Sequence, residues 1–174
     1  RVPMTELPTP SGSARTINAT LIAGDQFERV PDDWRYVWNA YTPQIERAAD
    51  EGRRLVILPE KIAHLEPGDR AAAIEQLAEI ARRRDVMIVA GADDEPENAR
   101  FNRAFVFTAA GWASYDKRHM IPELESHFAL GAAHLIFEYE GVRYGVAICK
   151  DMDFADLGRE YAGVAVSLDR KSVV

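Results

Sequence analysis

The chain has 174 residues, long enough for one domain with a sizeable core, and its 47% apolar and 28% charged residues are those of an ordinary globular protein. A formal net charge of −7, with no basic block beyond Arg82-Arg83-Arg84, argues against nucleic acid as a partner. A single cysteine excludes an internal disulfide and a thiolate metal cluster, and no apolar run reaches the ~18 residues of a membrane span.

Residues 1–14 hold Pro3, Pro8, Pro10 and Gly12 and read as a linker or tail, leaving 15–174 as the domain. The start at Arg1, without a leader signature, is that of an excised or processed chain. A first strand is expected over about 15–23. Pro31-Asp32-Asp33 then opens a helix whose Trp34, Val37, Trp38, Tyr41, Ile45 and Ala48 recur at three- and four-residue spacing. Pro43 falls inside this pattern and should kink or interrupt it, and Gly52 should stop it.

Leu55-Val56-Ile57-Leu58 is a continuous apolar run, as expected of a strand covered on both faces, and it ends in Pro59-Glu60. Asp69 should cap a second amphipathic helix through Ile74, Leu77 and Ile80 to about Arg84, with the three arginines on its last turn, where cations suit the dipole. A buried strand over 86–90 is closed by Gly91, and 93–100 reads as an exposed polar loop. Residues 101–108 and 112–115 form a hairpin around Gly111, and the segment Tyr115-Asp116-Lys117-Arg118-His119 leaves it. Residues 134–139 pair across Glu140-Gly141 with the apolar strand that ends at Ile148. Cys149 follows at once, and Asp151 and Asp153 are N-cap candidates for a helix starting near Phe154. Strand and helix alternate and then give way to hairpins, which argues for a layered α/β domain with a mixed sheet.

Taken singly, the polar residues at strand ends carry little. A lone cysteine after an apolar strand reads first as a buried structural thiol, and Glu60 alone as a surface charge. Glu123 and Glu125 read as a solvated loop. His64, His119, His127 and His134 lack ligand spacing, so no zinc site is expected, and capping accounts for Asp151 and Asp153 without a cation. Taken together, Glu60, Lys117 and Cys149 follow strands in three separate parts of the chain, and strand ends converge on one edge of an α/β sheet. A carboxylate base, a cation and a thiol meeting there have the parts of an acyl-transfer site.

Leu58-Pro59-Glu60, Tyr115-Asp116-Lys117-Arg118-His119 and Gly145-Val146-Ala147-Ile148-Cys149 resemble, in order and context, the Glu, Lys and Cys motifs of the nitrilase (carbon–nitrogen hydrolase) superfamily, over about residues 15–165. Gly91 and Asn102 fit the same pattern. The resemblance implies an α-β-β-α sandwich unit, no cofactor, and catalysis through a thioester on Cys149. Glu60 would then be the base, Lys117 and the Lys150 backbone N–H the oxyanion site, and Glu125 an assisting residue. The spacing Lys117…Pro122…Glu125 is similar to that of apolipoprotein N-acyltransferases, and Phe128…Gly131 with Phe137 suits either branch. Two departures stand out. Lys150 occupies a position that is commonly aromatic in the family, and the chain ends 25 residues after Cys149, in a tail unlike the family's next strand.

Three functions follow from this resemblance. The first is a C–N hydrolase acting on a small amide. The second is an acyltransferase using an acyl donor and an amine, anchored to a membrane through segments absent from this chain. The third is a truncated, inactive domain that self-associates. The full-length form is expected to be a homo-oligomer, cytoplasmic if a soluble amidase and extracytoplasmic if an acyltransferase.

Overall fold

A computed structural model of the chain describes residues 17–22, 27, 29–161 and the backbone of 166–170. The linker assigned to 1–14 lies outside these residues. The first layer is helical. Helix α1 (Trp34–Asp50) starts at Asp33, whose carboxylate accepts the Arg35 N–H at 2.9 Å, and all six apolar-stripe residues are buried. Helix α2 (Arg70–Arg84) lies beside it, joined where Trp38 Nε1 donates to the Ala73 carbonyl at 3.2 Å.

The expected interruption at Pro43 and the expected side-chain cap at Asp69 are both absent. Pro43 does not interrupt α1, which runs through it. Pro43 and Asn39 both lie on the exposed face, so the Asn39 carbonyl deprived of an i+4 donor faces water rather than the core. Asp69 precedes α2 but makes no side-chain cap; its carboxylate accepts from Arg35 Nη2 at 3.1 Å and ties the helix starts together.

Behind the helices stands a six-stranded mixed sheet. Strands β1 (Ala19–Leu21), β2 (Leu55–Ile57), β4 (Met87–Asp94), β5 (Phe101–Thr108) and β6 (Gly111–Asp116) follow in that spatial order, and β3 (Ala63–Leu65) also pairs with β4. Strand β3 was not foreseen, and β4 continues past Gly91 instead of closing there. The two facts are linked. Strand β2 runs parallel to the first part of β4 (Leu55↔Met87 to Ile57↔Val89) and β3 to its last part (Ala63↔Ala92 to Leu65↔Asp94). One edge of β4 thus holds two short strands in tandem, and the chain between them, 58–62, bows across Gly91.

A second sheet packs on the other face of the first. Strands β7 (Ile136–Tyr139) and β8 (Val142–Ile148) form a hairpin, and β9 (Val166–Arg170) lies parallel to β8. The hairpin turn has Glu140 and Gly141 both at positive φ, 51° and 72°, the two-residue form that suits strand twist. Strand β9 falls within the tail that reads, from the sequence, as unlike the family's next strand.

Alternation along β8 decides which layers meet. Tyr144, Val146 and Ile148 pack against Leu55, Met87, Val89, Ala104, Val106 and Tyr115 of the first sheet. Ala147 points the other way, to Leu157 and Tyr161 on and just after the short helix α3 (Ala155–Glu160). Val56, Ile88, Ala90, Phe105 and Phe107 of the first sheet face α1 and α2. Each fully buried large side chain contributes about 2 kcal/mol. The layers run α-β-β-α, as the resemblance implied.

Candidate active site

The bowed segment between β2 and β3 delivers Glu60. It approaches β4 so closely that a Cβ at Gly91 would lie 2.6 Å from the Pro59 carbonyl oxygen and 2.7 Å from Glu60 Cα. Glycine is required there for approach, not as a strand end. Backbone bonds fix the bow on both sides: Leu58 N to Val89 O at 2.8 Å, Gly91 N to Pro59 O at 3.2 Å and Ile62 N to Gly91 O at 3.2 Å.

Lys117 leaves the end of β6, where its N–H donates to Asn102 O at 2.9 Å. The chain then loops out through Pro122 and returns to place Glu125 beside it. Gly131 seals this loop on β6, with space for no side chain, since a Cβ would come 2.1 Å from the Asp116 carbonyl oxygen.

These two deliveries meet in a buried cluster. Lys117 is wholly buried, and its Nζ lies 3.1 Å from Glu60 Oε1 and 3.0 and 2.8 Å from the two Glu125 oxygens. Asn102 Nδ2 bridges the carboxylates, donating to Glu60 Oε1 at 2.7 Å and to Glu125 Oε1 at 2.9 Å. Lys61 Nζ reaches Glu125 Oε1 at 2.8 Å, and Ile121 N–H donates to Glu125 Oε2 at 2.9 Å. Two carboxylates and two ammonium groups therefore share one site, with Glu60 Oε1 and both Glu125 oxygens held by fixed donors.

Burial alone would lower the Lys117 pKa, but hydrogen bonds and charge from Glu125 and Glu60 outweigh it and raise it above the usual lysine value. Burial likewise opposes ionisation of Glu125, yet the bonds from Lys117, Lys61 and Ile121 N–H bring its pKa down to about 2. At neutral pH the pair is an ammonium and a carboxylate.

Cys149 comes from the second sheet. It follows Ile148 at the end of β8 and opens a 3₁₀ turn, Cys149–Asp153, with φ at +47°. A non-glycine residue in this left-handed region costs about 1 kcal/mol or more, so the surrounding structure must hold it. The same edge carries the buried cluster: Val146, Ala147 and Ile148 line, with Glu60 and Asn102, a cavity of about 20 Å³. That is room for roughly one water. Cys149 is partly exposed. The Lys150 N–H belongs to the first turn, where N–H groups lack intrahelical acceptors. The Lys150 side chain turns to Asp153, 2.6 Å away.

Two assignments made from the sequence need correction. Asp151 and Asp153 do not cap the following helix, which begins after Phe154 with no side-chain cap. Asp151 is instead fully buried. Lys61 and Asp151 were missed as site residues. The only signal for Lys61 was its place next to Glu60, and at φ +50° it sits in a backbone conformation that propensity does not foresee. Among the described residues no group of three or more His, Cys, Asp or Glu side chains could hold a metal ion.

Fold and motif order together define an α-β-β-α protein, and the comparisons with known proteins place it further. The chain belongs to the carbon–nitrogen hydrolase family, whose profile matches residues 19–164. It is similar to an (R)-stereoselective amidase of Pseudomonas sp., 30% identical over 90 residues that make up 51% of this chain and 33% of that protein. Two solved structures share the fold at lower identity. One is the glutamine-dependent NAD+ synthetase of Acinetobacter baumannii, at 23% identity and a TM-score of 0.72, covering 86% of this chain and 31% of that one. The other is a variant of the amidase from Nesterenkonia sp. AN1 with acrylamide added to its active-site cysteine, at 21% identity and a TM-score of 0.73, covering 88% of this chain and 66% of that one. The chain thus spans about a third of the length of the Pseudomonas relative.

Proposed function

We propose that the chain carries the catalytic residues of an amidase-type hydrolase that opens C–N bonds through a thioester on Cys149. Glu60 takes the thiol proton as sulfur attacks the amide carbonyl, forming the S–C bond and a tetrahedral oxyanion. The Lys117 ammonium and the Lys150 N–H stabilise that oxyanion. Its collapse breaks the C–N bond, and the proton on Glu60 goes to the departing amine. Water then attacks the thioester with Glu60 again as base, the S–C bond breaks, and acid and thiol are released. Glu125 keeps Lys117 charged and fixed.

The observation that carries this reading is the Glu60–Lys117–Glu125 cluster, buried at the edge where the Cys149 turn leaves β8. A structural role alone gives no reason to keep three formal charges there, since apolar residues of similar volume are commonly as stable or more so. The amidase relatives support water as the second nucleophile. The acyltransferase reading draws on the Lys117…Pro122…Glu125 spacing, and a hydrolase needs that spacing equally to return Glu125 to Lys117.

The test is release of ammonia or amine from a panel of simple aliphatic and aromatic amides. Turnover by the protein, lost in Cys149→Ser and in Glu60→Gln while both variants stay folded, supports the proposal. Turnover retained by Cys149→Ser would overturn it.

A further inference from the structure

Asp151 lies two residues beyond Cys149 and does not cap α3; it reaches back instead to the Ile148 N–H at the start of its own 3₁₀ turn. Its carboxylate accepts five hydrogen bonds. Oδ2 takes Ile148 N–H at 3.0 Å and Tyr115 Oη–H at 2.8 Å; Oδ1 takes Arg118 N–H at 3.2 Å, His119 N–H at 2.8 Å and His119 Nδ1–H at 2.9 Å. Burial, with Asp151 alongside, pushes the Tyr115 phenol far above its ordinary range, so it remains a donor. These donors are not scattered. Tyr115, Arg118 and His119 bracket Lys117 on the first sheet, and Ile148 immediately precedes Cys149 on the second.

We infer that Asp151 is a positioning residue: its carboxylate locks the turn that presents Cys149 to the loop that presents Lys117. The inference rests on the acyl-transfer reading above and adds a residue to it that contacts no reacting atom. Three features argue for positioning rather than ordinary core filling. The bond to Ile148 N–H closes the turn just before Cys149, the residue with unfavourable φ. The bonds to two consecutive N–H groups, Arg118 and His119, set the backbone direction directly after Lys117. The far side of this clamp is also braced. The His119 ring stacks on Phe154 at 3.8 Å and 11°, and Arg118 pairs with Glu160 on α3. Thiol and ammonium come from different sheets, and this carboxylate spans the gap between them.

The experiment uses an activated ester, p-nitrophenyl acetate, whose burst reports acylation of the thiol without knowledge of the natural substrate. The protein, Asp151→Asn, Tyr115→Phe and Cys149→Ser are compared for acylation rate constant, ester half-saturation and melting temperature. An asparagine keeps an acceptor for one set of N–H groups but turns an NH2 toward the other. The acylation constant of Asp151→Asn should fall about tenfold or more, because small misplacement of reacting groups is costly. Its half-saturation should stay within about twofold. Tyr115→Phe, which removes one bond of the five, should show a smaller fall of the same kind. A lower melting temperature with wild-type acylation constants in both variants would overturn the inference, and where Asp151→Asn does not fold, Tyr115→Phe alone decides. A burst persisting in Cys149→Ser would defeat the acyl-transfer reading instead, so the two failures are distinguishable.

Discussion

Glu125→Gln removes one negative charge from the buried cluster with almost no change of shape. In the folded chain the Glu125 side chain is 2% exposed, and its oxygens are held by Lys117, Lys61, Asn102 and the Ile121 N–H. Those donors hold its pKa near 2 against an ordinary 4.5. The unfolded chain therefore binds the Glu125 proton more readily than the folded one. Stability from this carboxylate is fully present above about pH 4.5 and is lost as pH falls toward 2. At ~1.4 kcal/mol per tenfold change in proton affinity, the effect is about 3 kcal/mol. A glutamine must also turn its NH2 toward either the Lys117 ammonium or the Ile121 N–H, donor against donor. Urea unfolding followed by tryptophan fluorescence at pH 7 should show a loss of about 3 kcal/mol, within the range for breaking a buried pair. The gap between protein and variant should narrow steadily as pH is lowered from 4.5 to 2. A variant within about 0.5 kcal/mol of the parent at pH 7, the spread of an ordinary surface substitution, would refute the reasoning, as would an unchanged acid limb.

Lys117→Met leaves Glu60 and Glu125 facing each other without their shared cation; it should cost about 3–5 kcal/mol at pH 7, measured by urea unfolding, and recover partly on acidification. The same variant should lower amide turnover about 10²-fold or more in a steady-state assay, by removing charge from the oxyanion site. Gly91→Ala drives a methyl into the backbone of Pro59 and Glu60, so it should destabilise by about 1–3 kcal/mol and slow turnover through displacement of Glu60, although residue 91 touches no substrate. Asn102→Ala removes the donor between the carboxylates and should cost about 1–3 kcal/mol, read from the same unfolding curves.

What was legible in the sequence was periodic or terminal. The α1 stripe from Trp34 to Ala48 could be seen because six large residues repeat at helical spacing, and β5 because Phe101–Thr108 is bounded by turn residues on both sides. Glu60, Lys117 and Cys149 were visible because each follows a strand readable in the sequence, and Glu125 through the family resemblance. Strand β3 was hidden, since Ala63-His64-Leu65 is short and its strand character comes from lying on β4. Gly91 was read as an end because glycine within a strand looks like a break; the cause is a crossing backbone that no local pattern reveals. Asp151 was misread for the same reason. Its spacing fits a cap, while its five donors come from β6, the Lys117 loop and Ile148. Pro43 obeyed its exposed position rather than its propensity.

The most direct measurement on the central claim is mass analysis of Cys149 during turnover. The protein is mixed with an amide that it hydrolyses, quenched in acid within the first turnovers, and digested. The peptide bearing Cys149 should carry the acyl group of the amide, the adduct should be discharged by hydroxylamine, and it should be absent from Cys149→Ser. Amide turnover with an unmodified Cys149, or with the acyl group on another side chain, would contradict the account.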